Sequence, residues 1–119
     1  MEKLTAQEEQ VMLKAWQFED FTVKDIWATY TEAPAYTTLA SVVKNLEKKG
    51  YVSSRKVGTT LLYTPAIDQK QYKRQFMTSV VENYFKNSYK EMVTFFAKNE
   101  QLSKDDLREI IDLIEKEDE

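Results

Sequence analysis

Glycine occurs twice in this chain, at Gly50 and Gly58, and proline twice, at Pro34 and Pro65. All four lie between positions 34 and 65, so long stretches on either side contain no residue that readily breaks a helix. A turn-rich all-β fold draws repeatedly on glycine and proline for its tight turns. A chain with so few is directed toward helices, with room for one short β element near its middle.

Helix signals fill the first stretch. Thr5-Ala6-Gln7-Glu8 reads as a capping box, in which the threonine hydroxyl accepts from a first-turn amide and the glutamate reaches back. A helix to about Gln17 follows, with Val11, Met12, Ala15 and Trp16 as its apolar stripe. Thr22 caps a second, shorter helix with Asp25 three residues on, and Val23, Ile26, Trp27 and Tyr30 are expected to face inward. Ala33-Pro34 stops it. A third helix is expected from about Tyr36 to Lys49, ending at Gly50 in the usual position after the last turn. Residues 51–55 and 60–64 then read as two strands, with Lys56-Val57-Gly58-Thr59 between them as a hairpin connection. Three helices followed by a hairpin is the order of a winged helix-turn-helix.

The third helix holds the functional signal. At roughly 100° per residue, Thr37, Thr38, Ser41, Lys44, Asn45 and Lys48 share one face, while Leu39, Val42, Val43 and Leu46 share the opposite one. The apolar face packs on the first two helices. The polar face holds hydroxyls, an amide and amines but no carboxylate. Short Thr and Ser side chains let a helix approach a major groove closely, Asn can pair with adenine, and lysines serve phosphates or guanine. Arg55 and Lys56, near the hairpin tip, are expected to clamp neighbouring backbone. Charge supports this: from Ala35 to Ala66 the chain carries Lys44, Lys48, Lys49, Arg55 and Lys56 against Glu47 alone, although its net charge is −3. The acid is concentrated at the other end, beyond Gln101.

From Asp68 onward the sequence is helical in pattern. Tyr72, Phe76, Val80 and Tyr84 recur every fourth residue with Phe85 beside them, and Asn87-Ser88 breaks the run. A further helix carries Met92, Val93, Phe95 and Phe96, and a last one, capped by Ser103, presents Leu107, Ile110, Ile111 and Ile114. This is more apolar and aromatic surface than so short a segment buries on itself, so these residues are expected to form a dimer interface. The expected fold is therefore mostly α with a small β-hairpin wing: a winged helix-turn-helix DNA-binding domain over residues 1–66 and a helical dimerisation region over 67–119. The expected function is a homodimeric repressor on a palindromic double-stranded DNA operator.

Composition excludes several other functions. The chain has no cysteine and no histidine, which removes disulfides, thiolate nucleophiles, imidazole bases and nearly every transition-metal ligand set. Asp105 and Asp106 suit a helix N-terminus better than acid–base catalysis. No enzyme activity, cofactor or metal is expected. No apolar run approaches membrane-spanning length and no signal-peptide core opens the chain, so the expectation is a cytoplasmic protein with no direct membrane association.

The blocks Leu4-Thr5-x-x-Glu8-x-x-Val11-Met12-x-x-x-Trp16, Thr22-Val23, Tyr36-Thr37-Thr38-Leu39 and Leu46-x-Lys48-Lys49-Gly50 resemble the penicillinase-repressor (BlaI/MecI/CopY) family. The likeness continues through Lys56-x-Gly58, Tyr63-Thr64-Pro65, Phe85-x-x-Ser88, Met92-Val93-x-x-Phe96 and Leu102-Ser103-x-Asp105-Asp106-Leu107. The resemblance implies homodimeric repressors that read palindromic operators through the third helix, with Thr37, Thr38 and Ser41 as the best-matched contacts. In the β-lactam branch it implies release through a membrane sensor metalloprotease system that leads to cleavage of the C-terminal region, here at Phe95-Phe96. In that branch an Asn usually precedes the second Phe, where this chain has Phe95. The copper branch uses a C-terminal cysteine pair, which this chain lacks. Asn45 and Thr59 stand where the family often has Arg.

Those two missing cations motivate an alternative, a winged-helix protein-interaction module without DNA binding. A third reading, prompted by the aromatic stripe, is a regulator that holds a small molecule among the aromatic residues of the C-terminal region.

Overall fold

The computed structural model describes residues 2–117. The chain forms α1 (Ala6–Ala15), α2 (Val23–Trp27), α3 (Tyr36–Lys48), β1 (Val52–Val57), β2 (Thr60–Pro65), α4 (Gln69–Tyr84), α5 (Tyr89–Lys98) and α6 (Lys104–Glu117). Mostly helical, with one antiparallel hairpin after the third helix, this is the winged-helix arrangement that the sequence implies. It divides into two compact units, Met1–Lys73 and Arg74–Glu119.

Local chemistry explains most helix starts in the N-terminal unit. Both expected capping boxes form: Glu8 N donates to Thr5 Oγ1 at 3.1 Å and Thr5 N to Glu8 Oε1 at 2.8 Å. Asp25 N and Thr22 N make the equivalent pair at the head of α2. One face of each helix then closes on a common core. Val11, Met12 and Ala15 from α1, Ile26 from α2, and Leu39, Val43 and Leu46 from α3 are fully buried, joined by Phe21, Tyr51, Val52 and Tyr63. Each large apolar side chain placed there contributes about 1.5–3 kcal/mol of transfer free energy.

Two expectations for this core change. α2 ends at Trp27, six residues before Ala33, and Trp27 lies outside the core at 41% exposure. Its indole N–H donates to Pro34 O at 3.1 Å, and its ring meets Tyr36 edge-on at 6.0 Å. The indole therefore braces the turn between α2 and α3 from the outside. Tyr30 is half-buried and lies under the Lys14 ammonium, 4.4 Å from its ring centroid.

The hairpin pairs Val52 with Pro65 through to Val57 with Thr60, so the strands are longer and the turn tighter than the sequence suggests. The turn residues are Gly58 and Thr59, and only Gly58 has positive φ, at 65°. This is the pattern of a type II′ turn, which needs glycine at its first central position. Phe21 extends the sheet beside β2: Phe21 N donates to Tyr63 O at 2.8 Å and Tyr63 N to Phe21 O at 2.7 Å.

A buried ion pair fixes the N-terminal segment against the end of α3. Glu8 is 4% exposed, and Lys49 Nζ donates to its Oε1 at 2.6 Å. The same ammonium donates to Lys3 O, and the Tyr51 hydroxyl donates to Glu2 O at 2.7 Å. Burial works to raise the Glu8 carboxyl pKa. The Lys49 ammonium and the Thr5 bonds outweigh burial and leave the group below its ordinary value.

In the C-terminal unit, left-handed backbone at Lys86 (φ 52°) and Asn87 (φ 60°) ends the run of α4, and Ser88 Oγ accepts from Glu91 N to start α5. Ser103 and Asp106 exchange bonds of 3.0 Å at the head of α6. Among the described residues of this unit, Val81 is the buried hydrophobic. Neither α5 nor α6 buries a residue.

Candidate nucleic-acid interface

The periodicity of α3 divides its side chains as the wheel implies. Thr37, Thr38, Ser41, Lys44, Asn45 and Lys48 are all exposed, while Leu39, Val42, Val43 and Leu46 are buried. Ser41 Oγ donates back to the Thr37 backbone carbonyl O at 3.1 Å, which keeps the Ser41 side chain close to the helix. The nearby acid, Glu47, is half-buried and accepts from the Ser54 hydroxyl of β1, so its carboxylate is tied to the hairpin.

The start of α3 differs from that of the other helices. Ala35 occupies the N-cap and offers no side-chain acceptor to the first-turn amides, and no acid lies in that turn. Thr5, Thr22, Ser88 and Ser103 perform this task for α1, α2, α5 and α6, and Asp68 Oδ1 accepts from Gln71 N in the first turn of α4. An uncapped helix start with its positive dipole end is suited to a phosphate oxygen.

Between α3 and the hairpin runs a cleft of about 610 Å³ lined by Lys24, Tyr36, Ala40, Lys44, Thr60 and Leu61, among others. Lys24 and Thr60 were not among the residues expected to meet DNA. The available signal was positional: Lys24 is the second residue of α2, and the first helix of a helix-turn-helix crosses the DNA backbone.

Arg55 and Lys56 do not act as a pair. Adjacent residues of a strand point to opposite faces. Lys56 is exposed and pairs with Leu61, on the face that carries Tyr63. Arg55 lies on the other face, where Nη1 donates to Thr64 Oγ1 at 3.3 Å and Nη2 to Asp20 Oδ2 at 3.2 Å. The expected clamp thus consists of one open amine and one engaged guanidinium.

The residues expected at a dimer surface also separate. Tyr72 belongs with the N-terminal unit: its hydroxyl donates to Glu9 Oε2 at 2.6 Å, and its ring lies 5.3 Å from Trp16 and 6.0 Å from Tyr51. Burial, with the Glu9 carboxylate beside it, pushes the Tyr72 hydroxyl pKa well up. Phe76, Tyr84, Phe95, Ile110, Ile111 and Ile114 are exposed, and Val80, Phe85, Phe96 and Leu107 are half-buried. Phe95 and Phe96 sit inside α5 with their rings 5.3 Å apart, and Phe85 contacts Phe95 at 5.6 Å.

The model of the penicillinase repressor family matches residues 4–116. This chain belongs to the penicillinase repressor family. The match spans both units, so membership rests on the C-terminal helices as well as on α3 and the hairpin. The chain is also 27% identical over 110 residues to the penicillinase repressor of Bacillus licheniformis, covering 89% of this chain and 84% of that protein. Family membership makes the protein a DNA-binding transcriptional repressor, a class without catalytic function. Among the described residues, no helix is long and apolar enough to cross a membrane.

Proposed function

We propose that this penicillinase-repressor family member acts as a homodimer on a palindromic operator, with α3 in the major groove and the C-terminal unit joining the protomers. The observation that carries the reading is the exposed face of α3. It holds three hydroxyls, two amines and an amide, it lacks a carboxylate, and it begins at a helix start with no side-chain cap. Thr37, Thr38 and Ser41 approach base edges, Asn45 is placed for adenine, and Lys44, Lys48 and Lys56 serve phosphates. Few cations per protomer mean weak binding by one copy, and two copies on one duplex compensate.

Dimerisation is supported by the apolar faces of α5 and α6, on which no residue is fully buried within the chain. Derepression follows if a signal removes or remodels that region. Cleavage at Phe95-Phe96 by a membrane sensor metalloprotease system is one such signal. Because the pair lies within α5, that helix must unwind before a protease can bind it in extended form.

The test is Thr38→Glu, which sets a carboxylate among phosphates without touching the core. The expected result is loss of the mobility shift, with the dimer unchanged in analytical ultracentrifugation. Operator binding retained by this variant would remove α3 from the role of reader.

A further inference from the structure

The pairing of Arg55 has a consequence for how tightly this protein holds DNA of any sequence. Asp20 precedes the strand residue Phe21, whose two backbone bonds to Tyr63 fix its position beside β2. From there its carboxylate accepts on both oxygens, from the Thr64 hydroxyl at 2.7 Å on Oδ1 and from Arg55 at 3.2 Å on Oδ2. The guanidinium also donates to Thr64, so the three side chains close a ring of hydrogen bonds on the outer face of the hairpin. The Thr64 bond first, and Arg55 second, hold the Asp20 carboxyl below its ordinary range, so it stays ionised at neutral pH.

Building on the DNA-binding reading above, we infer that Asp20 limits the sequence-independent part of this protein's affinity for DNA. By neutralising Arg55 it keeps the hairpin from adding a phosphate contact that every duplex would offer alike. Phosphate contacts raise affinity for all sequences, whereas base contacts distinguish them. The guanidinium N–H groups outside the ring stay free to donate, but a phosphate that approached them would also meet the Asp20 carboxylate, 3.2 Å from Nη2. With Arg55 neutralised, Lys56 is the hairpin cation open to DNA, since Thr59 supplies none. Discrimination therefore rests on α3.

Asp20→Asn tests this, because the amide oxygen can still accept from Thr64 while the charge is lost. Glu19→Gln, at the neighbouring exposed residue, makes the same change in net charge and is the control. Binding to a random-sequence duplex is measured by fluorescence anisotropy across ~50–200 mM salt. Relative to the control, Asp20→Asn is expected to steepen the dependence of log K on log salt by about 0.9 per protomer, and to bind about tenfold more tightly at ~50 mM salt. Its preference for a selected operator over random duplex is unchanged, because the added phosphate contact serves both alike. Adding Arg55→Met to Asp20→Asn reverses these gains. A purely structural role for the ring would lower the melting temperature but would not steepen the slope.

A slope equal to that of Glu19→Gln overturns the inference, as does weaker binding with a shallower slope, which would mean that Asp20 aims Arg55 at DNA. Failure of the folded wild-type protein to bind any duplex at ~50 mM salt would instead overturn the DNA-binding reading, and this inference with it.

Discussion

The two units of this chain treat their apolar residues in opposite ways. In the N-terminal unit Phe21, Met12, Ile26, Leu39 and Leu46 are fully enclosed by neighbours from the same chain. In the C-terminal unit α6 is as sharply two-sided in sequence, yet Ile110, Ile111 and Ile114 are 42–57% exposed. A helix with a continuous apolar stripe and no cover is stable in water only when something else covers it. The contrast shows where each unit's stability originates. The first depends on its own residues, and the second leaves its apolar stripe uncovered, which is what the proposed dimer would cover.

The largest effect expected from this comparison is in the N-terminal core. Leu46→Ala removes a fully buried side chain and is expected to lower unfolding free energy by about 3–4 kcal/mol, independent of protein concentration, in a urea titration. A shift that depended on concentration would blur the distinction between the units.

Next is Ile111→Asp combined with Ile114→Asp. Placing carboxylates on the α6 face should raise the dimer dissociation constant on the order of 100-fold or more by sedimentation equilibrium. The near-ultraviolet signature of the N-terminal core should persist. Unchanged dimerisation would assign association to other surfaces.

Glu8→Gln sharpens the comparison from the electrostatic side. It leaves the Lys49 ammonium without its anionic partner and should destabilise the N-terminal unit by about 2–3 kcal/mol, less than for a fully enclosed pair because Lys49 stays partly exposed and keeps its bond to Lys3 O. The folded-state pKa of Glu8 is lowered, so its contribution is complete above the unfolded-state value of about 4.3 and is lost as pH falls through the folded value. Wild-type stability should therefore drop more steeply than that of Glu8→Gln as pH falls below about 4.5. Parallel curves would show that the pair adds nothing specific.

What could be read from sequence was the local chemistry. Both capping boxes, the stop at Gly50, the Gly58 turn and the two faces of α3 follow from residues within a few positions of one another. The features that were missed depend on which polar or aromatic partner a side chain meets once the chain has folded. Trp27 has the spacing of a core residue, but Pro34 O takes its N–H on the surface. Tyr72 continues an aromatic stripe into α4, yet Trp16, Tyr51 and Glu9 claim it for the N-terminal unit. Arg55 reads as a wing cation until Asp20, 35 residues away, is brought beside it. Periodicity shows which side of an element is apolar. It cannot show which polar group a long side chain will meet.

The measurement that tests the central claim most directly is selection of bound duplexes from a random library at ~150 mM salt, followed by sequencing. The account predicts a recovered palindrome whose half-sites lie about one helical turn, or a small multiple of it, apart. Absence of enrichment from protein shown to be folded and dimeric would contradict it, and would leave the exposed face of α3 to a protein partner.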